Sequence, residues 1–572
     1  MKTFVWKIGG EAGFGIMTTG LAFSKIASRL GYRIFDYIEY PSLIRGGHNT
    51  YEVVVSDERV GSSPGKIDFL VCLNKQTFDF NKDRLSENSF VIYDKDEFSP
   101  ETTAILINVP FKEILSSLKG QLIMKNTIAL GASLALLGTD LTIFNELITQ
   151  QFGRKGTDVV SFNEQFAEKG FSYVLTHYNK NIQHLLSPLN SESQLVVTGN
   201  EAFSLGAIIS DCRMYVAYPM TPSSSVLTTL AAWQKNSKMV VRHAEDEISV
   251  INTALGGSFA GVRSAVGTSG GGYALMVESV SYAGIAEIPI VIFISQRPGP
   301  ATGMPTWTEQ GDLLFTVFSG HGEFPKIVLA PGDMEEMITL SAEAFNLADM
   351  YQVPVIILSD MFLSESHANI KESFVTNFNK SFKINRGKTI VKSDNKKYKR
   401  YETSSDGISP RLIPGAEGAF YQANSYEHLE DGHTTELSEE RVKQVTKRAL
   451  KMQTYLQTDF KTPTVYGDLE GADIVFVSWG SNKGVILDVQ KKLLLNTKTA
   501  YIHFTQIFPL KKEDVTPLLK KEKRYILIEN NSEAQFGKLL QMELGISIPE
   551  TILRFDGRAI SQEDIINKVN SK

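Results

Sequence analysis

Residues 215–314 constrain the fold most, because short apolar runs in this stretch end repeatedly at turns rich in glycine, proline or hydroxyl side chains. In order, its four pieces read YVAYPMTPSSSV, HAEDEISVINTALGGSFAGV, GTSGGGYALMVES and AEIPIVIFISQRPGPATGMPTWTEQGDLL. Strand-length apolar runs that alternate with helical segments predict an α/β domain with a parallel sheet. Ligands bind such sheets at the carboxyl ends of the strands. We therefore expect these turns to converge on one cofactor site.

An acid begins the most informative helix of this stretch. Residues 239–241 form a short apolar strand, and after Glu247 small residues recur at Ala254, Gly256 and Ala260, as in a helix that packs closely. The helix dipole favours any carboxylate in a first turn, so an ordinary acidic turn is the alternative to a functional acid. The neighbouring motifs favour the functional interpretation.

Three further turns accompany this acid. Residues 218–225 form a strand-to-helix turn whose hydroxyls can cap the next helix or contact an anion. The glycines at 270–272 follow another strand-like run and allow a flat ligand to approach the backbone. Arg297 follows the apolar strand predicted at 288–295, where a ligand is expected.

Together these motifs resemble the α subunit of the 2-oxoacid:ferredoxin oxidoreductases. The YPITPS-type turn, acid helix, TSGPG-type loop and QR-x-GP-x-TG-x-PT-x-x-EQ-DL segment of that family occur here in the same order, and the resemblance extends over essentially the whole chain. Gly271 stands where proline is usual and Pro298 where glycine is usual, which affects the expected loop shape more than the chemistry. The resemblance implies an oxidoreductase that acts on 2-oxoacids, passes electrons to ferredoxin and is active only with a β subunit.

Length, charge and cysteine content limit the class of protein. A chain of 572 residues is long enough for three or four domains. Its net charge of -6 gives no general attraction for nucleic acid, and no apolar run has the length of a bilayer or the features of a signal region. We therefore expect a cytoplasmic protein without nucleic-acid or membrane partners. Cys72 and Cys212 are the only cysteines, too few for a conventional iron–sulfur cluster.

Residues 1–190 form the first predicted domain. A strand at 4–8, a glycine turn at 9–15 and an amphipathic helix at 16–30 follow one another, and Asp36 lies near the distance at which a dinucleotide fold places its acid. A nicotinamide or flavin cofactor is therefore one interpretation. The alternative is a resemblance of IGGEAGFG, PSLIRGGHN and VGSSP to the γ domain of the same oxidoreductases, fused here ahead of the α region. That resemblance implies a role in assembly and at the coenzyme A side of the site.

The later domains are assigned by resemblance. Residues 191–370 are predicted to form the pyrimidine-binding domain of thiamine diphosphate enzymes. Residues 371–465, where a basic run precedes an acidic one, are predicted to be a partly ordered linker with solvated charges. Residues 466–572 resemble the transketolase C-terminal domain, with a mostly architectural role. The predicted fold class is thus α/β and multi-domain, with the γ-type domain first.

The resemblance assigns roles to individual residues. By position, Glu247 matches the acid that hydrogen-bonds the aminopyrimidine ring of the cofactor, because the small residues seven and nine positions later agree with it better than with Glu245. Thr221 and Arg297 match residues that contact the substrate's 1-carboxylate, which suits the planar donors of arginine. A helix cap for Thr221 and a surface ion pair for Arg297 are the alternatives. Further matches to cofactor contacts are Tyr218, Pro219, Ser269, Gly270 and Gly271, and weaker substrate or CoA candidates are Arg45, Gly46, Gly47 and Thr302.

One expected motif is missing from the chain. In these enzymes a Gly-Asp-Gly sequence, with an asparagine some way after it, holds Mg²⁺ against the diphosphate, and no Gly-Asp-Gly occurs here. We therefore expect no metal on this chain. The resemblance implies a β partner that carries Mg²⁺, the diphosphate half-site and a [4Fe-4S] cluster, with thiamine diphosphate shared between the chains, CoA as co-substrate and an (αβ)₂ assembly.

The substrate class is expected from the fused γ and α arrangement. It resembles most the branch that oxidises 2-oxoglutarate to succinyl-CoA, while a broad-specificity, pyruvate or branched-chain 2-oxoacid enzyme stays open. A second carboxylate on the substrate needs further cations or donors, for which Arg45, His48 and His243 are candidates. A non-catalytic binding or assembly subunit is the alternative from a different class, and the retained Glu247 argues against it.

Overall fold

The computed structural model describes residues 3–42, 47–393, 398–417, 419–494, 497–519 and 522–571. The chain divides into two compact units. Unit 1 comprises Met1–Val197, Ser366–Thr376 and Ser561–Lys572, and unit 2 comprises Thr198–Glu365 and Asn377–Ile560. Unit 1 therefore takes its elements from three separate parts of the sequence.

Strands and helices alternate along most of the chain, as the glycine and proline punctuation predicts. The strands are β1 (Thr3–Glu11), β2 (Arg33–Glu39), β3 (His48–Ser56), β4 (Phe69–Cys72), β5 (Phe90–Tyr93), β6 (Ile105–Asn108), β7 (Gln194–Thr198), β8 (Met214–Ala217), β9 (Val240–His243), β10 (Ser264–Thr268), β11 (Ile290–Gln296), β12 (Ile327–Leu329), β13 (Pro354–Asp360), β14 (His367–Lys371), β15 (Thr389–Ile390), β16 (Arg411–Leu412), β17 (Thr464–Tyr466), β18 (Ile474–Trp479), β19 (Thr499–Phe504), β20 (Gln506–Phe508), β21 (Arg524–Glu529) and β22 (Thr551–Leu553).

The helices are α1 (Ile16–Arg29), α2 (Lys75–Asn81), α3 (Phe111–Ser117), α4 (Lys125–Leu137), α5 (Thr142–Phe152), α6 (Thr157–His177), α7 (Gly199–Ile209), α8 (Ser224–Ser237), α9 (Glu247–Phe259), α10 (Gly270–Ala274), α11 (Val277–Ile285), α12 (Leu313–Phe318), α13 (Met334–Tyr351), α14 (Met361–Glu365), α15 (Glu372–Ser381), α16 (Ser438–Thr458), α17 (Asn482–Leu493), α18 (Lys512–Val515), α19 (Gln535–Leu544) and α20 (Gln562–Asn570). Among the described residues, none of them combines the length and the apolar composition that a bilayer crossing requires.

Within its described residues, unit 1 is built on an eight-stranded sheet of order β6-β5-β4-β1-β3-β2-β14-β7. Strand β1 pairs antiparallel with β3 and parallel with β4, so the sheet is mixed. Gly9 and Gly10, which the sequence predicts in a turn, lie within β1 because they pair with Thr50 and Asn49 of β3. The turn between β1 and α1 is therefore shorter than predicted.

The described part of unit 2 contains a seven-stranded sheet of order β20-β12-β13-β11-β10-β8-β9. The pairs from β12 to β9 are parallel, and only β20 runs antiparallel, against β12. Strand β10 has the predicted bounds of 264–268, whereas β11 begins two residues later than predicted. Pro289 explains this shift, because it has no backbone N–H to donate to a neighbouring strand.

The described part of unit 2 also contains a two-stranded sheet, β15-β16, and a five-stranded sheet of order β17-β19-β18-β21-β22. One hydrophobic core contains Ile292 and Val328 from the seven-stranded sheet and Val475 and Leu527 from the five-stranded one. The main parts of the regions predicted as pyrimidine-binding and transketolase-like therefore belong to one compact unit, whereas residues 191–197, 366–370 and 561–572 belong to unit 1. The division of the sequence into four parts, with its boundaries, stays a prediction.

The segment predicted as a linker contributes buried charges to unit 2. Lys447 and Lys451 of α16 each lie 2.6 Å from a carboxylate oxygen of Glu287, and all three side chains are almost fully buried. Arg400 donates a hydrogen bond to the Glu287 carbonyl at 2.8 Å. Around α16 this segment therefore packs onto the core, and the charges of Lys447 and Lys451 do not face water.

Candidate cofactor site

The four motifs of residues 215–314 lie at one edge of the larger sheet in unit 2. Ala217 at the end of β8 pairs with His243 at the end of β9 and with Gly267 of β10, whose Thr268 pairs with Ile294 of β11. Because these strands are parallel, their carboxyl ends meet. The proline-rich turn, the acid helix, the glycine segment and the arginine thus follow neighbouring strand ends.

Glu247 is the buried member of the acidic run. The N-cap of α9 is Asp246, whose side chain accepts a hydrogen bond from the backbone N–H of Ser249 at 2.7 Å. Glu245 and Asp246 are exposed, whereas Glu247 is only 4% exposed. Glu247 therefore faces the interior, as does Ala254, whereas Gly256 and Ala260, which the sequence predicts to pack closely, are exposed.

One carboxylate oxygen of Glu247 lacks a hydrogen-bond partner. Within the part of the chain that the structure describes, its Oε1 is buried and unpaired, and so are the hydroxyls of Thr268 and Ser269. A β-carbon added to Gly272 would lie 2.8 Å from Glu247 Oε1 and would clash with the Thr268 hydroxyl. A buried polar atom without a partner costs free energy, so this space suits a ligand that donates to the carboxylate. The donor groups of an aminopyrimidine ring fit that requirement.

Arg297 and Thr221 are in direct contact. The Nη1 of Arg297 donates to the backbone carbonyl of Thr221 at 2.7 Å. Thr221 does not cap α8, because Ser223 occupies the N-cap and its hydroxyl donates to the carbonyl of Met220. Tyr218 is exposed at the start of the same turn. Partial burial lowers the pKa of Arg297, and the carboxylate of Asp312 opposes this shift only in part.

Two carboxyl groups that the sequence analysis did not single out line the same region. A β-carbon on Gly270 would fall on the carboxylate of Asp312, so the two residues are in close contact. Burial raises the pKa of Asp312 to about 6, although Arg297 opposes the shift. Burial and Asp312 together raise the pKa of Glu309 to about 7. Both lie in the TEQGDLL segment. The polar residues crowded just before a helix in this segment are the sequence feature that could have indicated these two carboxyl groups.

The remaining predicted site residues are more exposed or lie elsewhere. Pro219, Gly271 and Thr302 are exposed in unit 2, and the hydroxyl of Ser269 is buried. Gly47 belongs to unit 1, where its carbonyl accepts a hydrogen bond from Ala12. The weak candidates Arg45 and Gly46 lie outside the described residues.

In unit 1, Asp36 is not available for the role that the dinucleotide interpretation assigns to it. Asp36 is fully buried, and its carboxylate accepts hydrogen bonds from Ser24, Tyr51 and the backbone N–H of His367 at 2.6 to 3.0 Å. A carboxylate with these partners is not free to bind a ribose hydroxyl.

Comparison with known proteins identifies the family. Residues 205–447 match the family model "Pyruvate flavodoxin/ferredoxin oxidoreductase, thiamine diP-bdg", and residues 5–173 match "Pyruvate ferredoxin/flavodoxin oxidoreductase". A 2-oxoacid:ferredoxin oxidoreductase subunit alpha from Sulfolobus sp is 32% identical over 98% of this chain and 95% of its own length. The chain belongs to the alpha subunits of the 2-oxoacid:ferredoxin oxidoreductases.

Two other relatives of this alpha subunit are informative. The 2-oxoglutarate synthase subunit KorA of Methanothermobacter thermautotrophicus is 26% identical over 65% of this chain and 97% of its own length. A solved 2-oxoglutarate:ferredoxin oxidoreductase from Magnetococcus marinus, with 2-oxoglutarate, coenzyme A and succinyl-CoA bound, is 29% identical. Its TM-score is 0.92, and the match covers 100% of this chain and 99% of that one. The predicted α/β multi-domain fold and the oxidoreductase class are thereby confirmed.

The match to the thiamine diphosphate-binding model covers the whole candidate site of this alpha subunit. Glu247, Gly272, Arg297 and Asp312 all lie within residues 205–447. The unpaired oxygen of Glu247 therefore lies in the region that matches the thiamine diphosphate-binding model.

Proposed function

We propose that this chain joins a β subunit in an enzyme that oxidises 2-oxoglutarate with thiamine diphosphate, CoA and ferredoxin. The observation that carries the proposal is the buried, unpaired Oε1 of Glu247 beside Gly272. In the overall reaction the substrate loses CO₂ and an electron pair, ferredoxin accepts the electrons, and the succinyl group passes to the CoA thiol with release of a proton.

Glu247 is proposed to hold the aminopyrimidine ring. When bound, thiamine diphosphate supplies a thiazolium carbon that adds to the keto group of a 2-oxoacid. The carboxylate would accept a hydrogen bond from the ring nitrogen, which would favour the imino tautomer of the ring, whose exocyclic nitrogen is basic. Because Glu247 is only 4% exposed, water does not compete for this bond.

Arg297 is proposed to bind the 1-carboxylate that every 2-oxoacid carries. One of its nitrogens is anchored on the Thr221 carbonyl, which leaves further guanidinium donors for a planar carboxylate. Thr221 and Tyr218 are proposed to complete this wall of the site. Pro219, Ser269, Gly270 and Gly271 remain proposed cofactor contacts, and Thr302 with residues 45–47 remain proposed substrate or CoA contacts.

A β partner is proposed because this chain offers only half of a cofactor site. The sequence lacks the Gly-Asp-Gly motif for Mg²⁺ and the cysteines for a cluster. Large apolar side chains are exposed on the segments that carry the site: Tyr218, Ile248, Leu275, Met304 and Phe315. Such a group of exposed apolar residues is typical of a protein interface. We propose that the partner carries Mg²⁺, the diphosphate half-site and a [4Fe-4S] cluster, in an (αβ)₂ assembly.

The 2-oxoglutarate assignment is supported by two relatives and by one residue of unit 2. The Magnetococcus structure contains 2-oxoglutarate and succinyl-CoA, and the Methanothermobacter relative is named a 2-oxoglutarate synthase subunit. His243 lies exposed at the carboxyl end of β9, at the site edge of the sheet, and is the proposed donor to the second carboxylate. His48 is a poorer candidate, because burial and Lys7 lower its pKa to about 4 and leave it neutral near pH 7.

Steady-state kinetics of the enzyme assembled with its β subunit test this proposal. We expect kcat/KM to be highest for 2-oxoglutarate among 2-oxoglutarate, pyruvate, 2-oxobutyrate and 2-oxoisovalerate, because this ratio reports transition-state binding. His243→Gln should lower kcat/KM for 2-oxoglutarate but not for pyruvate, whereas Arg297→Lys should lower both. A preference of about tenfold for pyruvate or a branched-chain oxoacid, roughly 1.4 kcal/mol, would remove the 2-oxoglutarate assignment and leave the reaction class.

A broad 2-oxoacid specificity is the second candidate. The Sulfolobus relative, which matches almost the whole chain, is named for 2-oxoacids in general. Similar kcat/KM values for all four substrates, with no differential effect of His243→Gln, would favour this candidate.

A further inference from the structure

Gln310 connects the candidate site to the C-terminal part of unit 2. It is fully buried in the segment between β11 and α12. Its backbone N–H donates to the carbonyl of Asn530 at 2.7 Å. Its Oε1 accepts from Asn482 Nδ2 at 2.9 Å and from the backbone N–H of Asn530 at 3.1 Å. Both asparagines belong to the region that the sequence analysis predicts to be mostly architectural.

The other polar atoms of Gln310 are also paired. Its carbonyl accepts from Asn531 Nδ2 at 3.1 Å, and its Nε2 lies 3.4 Å from both Asp360 Oδ2 and the Trp479 carbonyl. A buried amide with all its groups satisfied holds one orientation, because any rotation leaves unpaired polar atoms.

Gln535 of α19 fixes the same segment from the side. Its Nε2 donates to the carbonyl of Gly311 at 2.7 Å, and its Oε1 accepts from the backbone N–H of Leu314 at 3.0 Å. The residues on both sides of Asp312 are therefore bound to the C-terminal part of the unit.

Asp312 in turn contacts the candidate site at two points. Its backbone N–H donates to Oε1 of Gln296 at 2.9 Å, and Gln296 is the residue that precedes Arg297. Its carboxylate lies against Gly270, the first residue of the glycine segment. Displacement of Asp312 would thus move the wall formed by Gly270 and change the charge close to Arg297.

We propose that Gln310 is a positioning residue that fixes Asp312, and through it the glycine segment and Arg297, in the geometry that binds cofactor and substrate. This inference rests on the proposed function for its kinetic consequences but not for its structural ones. The C-terminal region then contributes to the site itself, since its asparagines hold Gln310.

Hydrogen exchange of the full-length chain tests the structural part without any assay of activity. Gln310→Met keeps the size of the side chain and removes its hydrogen bonds. We expect faster amide exchange in residues 308–314 and also in residues 268–275. The matched control is Gln444→Met, which removes another fully buried amide of unit 2, bonded to the Tyr401 carbonyl. This control should leave both segments unchanged. Should Gln310→Met fail to fold, Gln535→Met tests the same segment with a less buried residue.

Kinetics of the assembled enzyme test the functional part. We expect Gln310→Met to raise the KM for the 2-oxoacid and to lower kcat/KM by about tenfold to 100-fold, since small misplacements of a site are costly. In an Asp312→Asn background the same substitution should have a smaller effect, because the charge of Asp312 close to Arg297 has already been removed.

The outcomes separate this inference from the proposed function. Faster exchange confined to residues 308–314, or equal kinetic effects in both backgrounds, would overturn the positioning role. A wild-type enzyme without 2-oxoacid activity would overturn the proposed function, and the exchange of residues 268–275 would still decide the role of Gln310.

Discussion

Gly272 leaves the space that the carboxylate of Glu247 occupies: a β-carbon at residue 272 would lie 2.8 Å from Glu247 Oε1. Gly272→Ala should therefore displace Glu247 and the Thr268 hydroxyl, at a cost of about 1–3 kcal/mol for overpacking. We expect thiamine diphosphate binding by the assembled enzyme to weaken by about tenfold or more, as measured by titration calorimetry.

Gly271→Ala is the matched control for this substitution. A β-carbon on exposed Gly271 would find only the carbonyl of Ala301, at an ordinary distance of 3.8 Å. Gly271 is proposed to contact the cofactor through its backbone, which this substitution keeps, so cofactor affinity should fall much less than in Gly272→Ala. Equal losses in the two variants would show that the glycine segment acts through its backbone flexibility and not through the space beside Glu247.

The sequence could single out Glu247 as the candidate acid, but it could not show which residues hold the site in place. The choice of Glu247 over Glu245 rests on the match of Ala254 and Gly256 to the family motif, and of these two only Ala254 is buried. The roles of Asp312 and Gln310 depend on contacts with residues far along the chain, such as Asn530 and Gln535, and no local pattern reports such contacts.

The acid form of Asp312 gives a pH-dependent stability. Its pKa rises from an ordinary value of 3.8 to about 6 in the folded chain, so between these values the folded state binds more protons than the unfolded state. The free energy of unfolding contributed by this group therefore falls as the pH rises from about 4 to about 6. Asp312→Asn should reduce this fall in urea unfolding of the full-length chain. Identical pH profiles for variant and wild type would contradict the assignment.

Glu287 is the counter-charge for two buried lysines. Burial alone would raise the pKa of Glu287, but Lys447 and Lys451 hold it well below the ordinary value. Glu287→Gln should lower the free energy of unfolding by about 3–5 kcal/mol, because it leaves two buried lysines without a counter-charge. Glu440→Gln, which removes the ion pair with the more exposed Lys443, should lower the free energy of unfolding much less in the same chemical denaturation experiment. Similar losses of stability in the two variants would mean that water reaches Glu287.

This cluster also shows what a charge pattern cannot reveal. The run of charges in residues 371–465 has the composition of a solvated segment, yet Lys447 and Lys451 are buried. Their partner Glu287 lies more than 150 positions earlier in the sequence. Composition reports the number of charges, and only the tertiary fold reports whether each one meets a counter-charge.

The lone chain should lack the spectroscopic signature of an iron–sulfur cluster. Cys72 and Cys212 are both buried and belong to different units, and burial raises the pKa of the Cys212 thiol to about 12. We expect a colourless chain with weak binding of thiamine diphosphate, and visible absorbance only after assembly with the β subunit. A purified lone chain with a reducible visible chromophore and tight Mg²⁺-dependent cofactor binding would contradict the division of the site between two chains.

The most direct test of the account is the rate of proton exchange at the thiazolium carbon of the cofactor in the assembled enzyme. Glu247→Gln keeps the volume of the side chain and removes its charge, whereas Glu245→Gln changes an exposed neighbour. The account predicts exchange at least about 100-fold slower in Glu247→Gln, the usual size of a lost acid–base contribution, and a rate close to wild type in Glu245→Gln. Slow exchange in Glu245→Gln with normal exchange in Glu247→Gln would contradict it.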